Sequence, residues 1–192
     1  MPRLFTGLEL PPEIADDLRR LKAPIPGARW IDASDLHVTL RFAGDVEKRV
    51  ASEFVECLER ITVPVFEMRL SGLGVFGGQD PHSLWARVEA GPELEQLYRA
   101  HERAARLAGL KPETRGFHPH VTIARLKHAR DDALARFLSR HGAFRTAPIV
   151  VERFVLFSSR PSVGGGPYVV EEAFPLAGAA FDHDMDDTRE RW

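Results

Sequence analysis

"LHVTLRFAG" (36–44) and "HVTIARL" (120–126) share one tetrad, His-Val-Thr-aliphatic, and a chain with only eight histidines writes it once in each half. The two copies begin 83 positions apart, at 37 and 120. On a strand, residues i and i+2 share a face. His37 and Thr39 then point one way, while Val38 and Leu40 point toward a core. His120 and Thr122 match them, backed by Val121 and Ile123. Two such strands placed about a pseudo-twofold axis would bring two imidazoles and two hydroxyls to one cleft.

Outward from these motifs, the patterning repeats. A β-like stretch at 3–10 leads into "PPEIADDLRRL" (11–21), where a Pro pair suits a helix start and Ile14, Leu18 and Leu21 fall at helical spacing. "ARWI" and the first motif read as strands around the turn "DASD". An amphipathic helix over 46–61 follows, with Val46, Val50, Phe54 and Leu58 on one stripe. Strands are expected at 65–76 and 82–90, then a helix over 92–109 stopped by Gly109. The second motif is a strand over 120–126, with a helix over 130–142 after it. "PIVVERFVLFSSR" and "PYVVEEAFPL" read as two strands around the turn "PSVGGG". The spacing and the repeated order are those of a duplicated unit. The expected domain is 1–176, and the acidic, aperiodic stretch 177–192 reads as a disordered tail. Its "DHDMDD" lacks the Gly and the distal Glu of a calcium loop.

Composition narrows the class. With 192 residues, 44% of them hydrophobic, the chain can bury a sizeable core. A net charge of −2 gives no global pull on nucleic acid, so any polyanion site must be a local patch. The single Cys57 cannot form an internal disulfide, and no apolar run reaches membrane-spanning length. A cytoplasmic monomer with no membrane contact is expected.

The paired motifs suit in-line displacement at a phosphodiester. Histidine titrates near neutrality, so two of them can serve as one base and one acid. The hydroxyls of Thr39 and Thr122 can donate to non-bridging oxygens. That scheme needs no metal and no cofactor. "HPH" (118–120) is the rival metal reading, but no third ligand at zinc-like spacing accompanies it. Five residues after His120 stands Arg125, which a regular strand would point away from the cleft, so a bulge is needed to bring it back. Phe42 holds the matching place after His37 and reads either as a core aromatic or as a face for a base. Arg41, Arg115, Lys127 and Arg130 make both motifs locally basic.

Taken together, these residues resemble the two-histidine (2H) phosphoesterase superfamily, in particular its bacterial RNA 2′,3′-cyclic phosphodiesterase branch (ThpR or LigT, the 2′-5′ RNA ligase family). "RLFTGLELPPEI", "RWIDASDLHVTLRFAGDV", "LSGLGVFGGQDPHSLWARV", "TRGFHPHVTIARL" and "FVLFSSRPSVGGGPYVV" carry the resemblance, which covers about 1–176. It implies an α+β, bilobal LigT-like fold: two pseudo-symmetric lobes, antiparallel sheets around a central cleft, helices outside. It also implies hydrolysis of RNA 2′,3′-cyclic phosphate ends to 2′-phosphate ends. By position, His37 would be the proton donor and His120 the proton acceptor. Thr39, Thr122 and Arg125 would hold the phosphate, with Phe42 beside the nucleoside. His118 stands where the family pattern leads one to expect a small hydroxyl residue. Small cyclic nucleotides, 2′-5′ linked oligonucleotides, the reverse ligation, and a non-catalytic RNA-end-binding module are the alternatives.

Overall fold

A computed structural model describes residues 1–160 and 165–180. The expected acidic tail therefore lies outside the described residues from 181 onward, as does the start of the turn "PSVGGG". At 177 the chain is still tied in: Ala177 donates its N–H to the Val63 carbonyl and accepts from the N–H of Val65.

The described residues form nine strands and four α-helices around one main core, with a small second cluster of Phe5, Val155 and Phe157. In chain order they are β1 (Arg3–Glu9), α1 (Pro12–Arg19), β2 (Ala28–Trp30), a 3-10 turn (Ala33–Asp35), β3 (His37–Asp45), α2 (Lys48–Leu58), β4 (Phe66–Phe76), β5 (Ser83–Ala90), α3 (Pro92–Leu107), β6 (His120–Leu126), α4 (Asp131–Arg140), β7 (Ile149–Val151), β8 (Arg153–Ser159) and β9 (Val169–Pro175). Pro12 and Pro92 sit in the first turns of α1 and α3, where a missing N–H costs nothing. The helices bury Ile14 and Leu18 on α1, Phe54 and Leu58 on α2, and Leu94, Leu97 and His101 on α3, while Val50 of the expected stripe is only half-buried. Together with Val38 and Leu40 of β3 and Val121 and Ile123 of β6 they build the core. None of the described helices is long and apolar enough to cross a membrane.

The strands make one curled, antiparallel sheet in the order β7-β4-β5-β6-β3-β1-β8-β9, with β2 alongside β6. This order is symmetric about the β6–β3 junction, and each motif strand has its own outer strand, β5 for β6 and β1 for β3. The repeated unit is strand, helix, motif strand, helix, strand, yet the last strand of each unit crosses to the other lobe. β4 pairs with β5, and β8 pairs with β1. Each lobe is thus completed by the other unit's strand, and the main core runs through both lobes.

"PIVVERFVLFSSR" is not a single strand. It breaks at Glu152 into β7, which pairs with β4 at one edge of the sheet, and β8, which lies between β1 and β9. Its unbroken run of β-formers carries no mark of the change of partner, because pairing is a nonlocal choice. The helix at 11–21 is also shorter than its periodicity predicts, with Leu21 buried just beyond its end.

Candidate active site

β3 and β6 meet at one ladder position, Val38 opposite Val121, the central residues of the two tetrads. Antiparallel register through that pair sets His37 diagonal to His120 and Thr39 diagonal to Thr122 on the face away from the core. All four, with Phe42 and Arg125, line one open cleft of about 290 Å³.

Both imidazoles are held in the same manner. The Nδ1 of His37 lies 2.8 Å from the carbonyl oxygen of Asp35, and that of His120 lies 2.6 Å from the carbonyl of His118. A carbonyl can only accept, so each Nδ1 carries hydrogen and donates. Each Nε2 is left for the cleft, and that of His37 is 3.1 Å from Thr39 Oγ1. Aromatic rings fix the planes. Phe5 lies 4.9 Å from the His37 ring and Tyr168 stands edge-on to it at 5.0 Å. Phe76 is edge-on to His120 at 4.9 Å, with Trp85 at 6.0 Å. Two glycines make room for this packing. A side chain at Gly7 would meet the Val38 carbonyl at 2.6 Å and the Phe157 ring at 3.3 Å, and one at Gly74 would meet the Trp85 ring at 2.5 Å.

Burial is the main cause holding both histidines below the ordinary value, because it penalises the charged ring. Their other neighbours differ. At His37 the Asp35 carbonyl and carboxylate favour the imidazolium, opposing the charges of Arg125 and His120. At His120 only the His118 carbonyl favours it, while Arg125 and His118 act against it. One ring therefore has a carboxylate beside it and the other does not.

Phe42 and Arg125 reach the cleft by the same device. In β3, Arg41 pairs with Thr6 and Thr39 with Gly7, leaving Leu40 as an extra residue. In β6, Ala124 pairs with Leu84 and Thr122 with Trp85, leaving Ile123 extra. The last residue of each tetrad is thus a β-bulge. It sends two consecutive side chains inward, Leu40 and Arg41 in one strand, Ile123 and Ala124 in the other. The alternation resumes one step late, and the next residue, Phe42 or Arg125, returns to the cleft face.

Arg41 consequently does not add to the basic surroundings of the motif. Arg41 is 5% exposed, with Nε 2.7 Å from Glu102, and it also donates to the carbonyls of Phe42 and Lys111. Arg115 and Arg130 are taken up by Glu113 and Asp132. The side chain of His118 is exposed; its carbonyl holds His120, and its ring acts against positive charge there.

Phe5, Asp35 and Tyr168 also line the cleft, and the sequence reading missed all three. Asp35 lay in a segment read only as a turn, and Tyr168 in the closing hairpin. They meet because the Tyr168 N–H donates to Asp35 Oδ1 at 3.1 Å, across 133 positions of chain. No local pattern announces that contact. Among the described residues, no three His, Cys, Asp or Glu side chains gather as a metal site.

A sequence model of the 2′-5′ RNA ligase superfamily matches residues 10–161. An RNA 2′,3′-cyclic phosphodiesterase of Aeropyrum pernix is 37% identical over 134 residues, covering 68% of this chain and 76% of that protein. Another from Aquifex aeolicus is 30% identical over 185 residues, covering 92% and 98%. Among solved structures, a protein of Thermus thermophilus superposes with a TM-score of 0.71 at 26% identity, covering 93% of this chain and 100% of its own. Escherichia coli LigT complexed with 3′-AMP superposes at 0.73 and 24% identity, covering 92% and 99%, a likeness of fold.

Proposed function

The chain belongs to the 2′-5′ RNA ligase superfamily, and from that premise we infer that it hydrolyses RNA 2′,3′-cyclic phosphate ends to 2′-phosphomonoesters by acid–base catalysis between two imidazoles. The observation that carries the mechanism is the matched pair of rings, each with Nδ1 tied to a carbonyl and Nε2 turned to one cleft.

In this reading the phosphate sits between the motifs, its non-bridging oxygens taking hydrogen bonds from Thr39, Thr122 and Arg125. His120 is the base. Its Nε2 takes a proton from water as the water oxygen bonds to phosphorus. The bond from phosphorus to O3′ breaks, and His37 Nε2 gives its proton to that oxygen. The product is a 3′-hydroxyl and a 2′-phosphate, and solvent returns the rings to their starting states. Asp35 supports this division: its carboxylate favours a charged ring at His37, whereas Arg125 acts against charge at both rings and no carboxylate acts on His120. Phe42, 38% exposed, offers its ring to the nucleoside.

The test is an oligoribonucleotide ending in a 2′,3′-cyclic phosphate, assayed with and without chelator. A 2′-phosphate product formed equally in both supports the reading. A 3′-phosphate product, or no product at high enzyme concentration, overturns it. Activity abolished by chelator and restored by metal overturns the metal-free route. Because burial lowers both histidines, the bell-shaped profile of kcat/KM should peak on the acid side of about pH 6.5.

A further inference from the structure

Arg125 is not alone on its face of the sheet. β2 runs beside β6, with Ala28 opposite Leu126, Arg29 opposite Arg125, and Trp30 opposite Ala124. Residues directly opposite in a ladder share a face. Leu126 and Ala124 are buried, and Trp30 packs inward toward Phe137 at 5.8 Å, so this alternation puts Arg29 on the cleft side with Arg125. Both guanidiniums are exposed, and among the described residues neither has a carboxylate partner. Arg3, at the opposite rim, differs: it is held by Asp45 at 3.0 Å. Both Arg29 and Arg125 act electrostatically on the Tyr168 hydroxyl, so the two charges bear on the same end of the cleft.

Like charges directly opposite on paired strands destabilise a sheet. An anion between or beside the two charges would relieve that repulsion. A cyclic phosphodiester carries one negative charge, already met by Arg125 and two threonine hydroxyls. The second guanidinium is in surplus for that group alone. We propose that Arg29 binds the phosphodiester preceding the terminal nucleotide, so that the cleft reads two successive phosphates of an RNA end. This rests on the hydrolytic reading above and adds its specificity: an oligonucleotide end over a nucleoside 2′,3′-cyclic monophosphate. A fork of planar N–H donors suits a phosphate oxygen pair and carries no base information.

The experiment compares a dinucleotide ending in a 2′,3′-cyclic phosphate with the corresponding nucleoside 2′,3′-cyclic monophosphate. In Arg29→Gln, the dinucleotide-to-nucleoside ratio of kcat/KM should fall about tenfold, through KM. The salt dependence for the dinucleotide should weaken by about one phosphate contact. Arg29→Lys should recover part of the ratio. Relief of the like-charge pair should leave ligand-free Arg29→Gln at least as thermally stable as the parent. An unchanged ratio, equal losses on both substrates, or a clearly less stable ligand-free variant would each overturn the assignment. Binding separates this inference from the reaction itself. If neither cyclic substrate turns over, the hydrolytic reading fails. Arg29 is then judged by whether Arg29→Gln weakens a 2′-phosphorylated dinucleotide more than a nucleoside 2′-monophosphate.

Discussion

In β3 the extra residue of the bulge is Leu40 and in β6 it is Ile123, so the two strands leave the regular alternation at the same step of the same tetrad. What each then delivers to the cleft differs: an aromatic ring from Phe42, a guanidinium from Arg125. The second inward position differs as well. Ala124 is fully buried, whereas Arg41 carries its charge inward to Glu102 and ties the loop before the second motif through the Lys111 carbonyl. The two motif strands share the His–Thr pair and the bulge, and differ in the residue that returns to the cleft after it. In the proposed reaction one lobe meets the charge of the substrate and the other its apolar part.

The sharpest way to break that comparison is to remove the shared part. His37→Ala and His120→Ala should each lower kcat/KM by about 10²–10⁴-fold, and the double variant should fall well short of the product of the two losses. A substrate whose leaving group needs no protonation should rescue His37→Ala alone. Rescue of His120→Ala instead would exchange the acid and the base.

Removing the divergent part should separate the lobes. Arg125→Ala should lose about 10²-fold, mostly in kcat, because its charge is placed where the transition state concentrates its own. Steady-state kinetics that showed only a raised KM would reduce Arg125 to ground-state binding.

A third histidine separates pH effects on the fold from those on the cleft. His101 is fully buried on α3, its Nδ1 2.8 Å from the Leu97 carbonyl, and burial lowers it to about 4. A histidine lowered on folding binds its proton more readily in the unfolded chain. Its neutral form therefore supports folding above about pH 6.5, and that support is lost as the pH falls toward 4. The linkage amounts to about 3 kcal/mol. Urea unfolding at pH 7 and pH 4.5 should show that loss, and His101→Leu should flatten it. An equally steep dependence in the variant would place the acid sensitivity in groups other than His101.

The smallest expected effect is Phe42→Ala, about tenfold in KM with kcat nearly kept, the loss of one stacking face. A large fall in kcat would mean that Phe42 orients the reacting phosphate and that the lobes are less specialised than their side chains imply.

How much of this was legible beforehand follows from what a local pattern can carry. The tetrads place His37 with Thr39 and His120 with Thr122, because a two-residue period is a property of the strand itself. Helix stripes such as Phe54 with Leu58 and Leu94 with Leu97 are local in the same sense. So the dyads, the helices and the duplicated order were determined by the sequence alone. Tertiary structure decided the rest. Whether Arg125 faces the cleft depends on a bulge, and a bulge exists only against a partner strand. Arg41 reads as one more surface charge until β3 is paired and α3 brings Glu102 to it. The split at Glu152, the crossing of β4 and β8 between lobes, and the meeting of Asp35 with Tyr168 are choices among distant segments. Their energies come from pairing and packing across the chain, and no window of residues contains them.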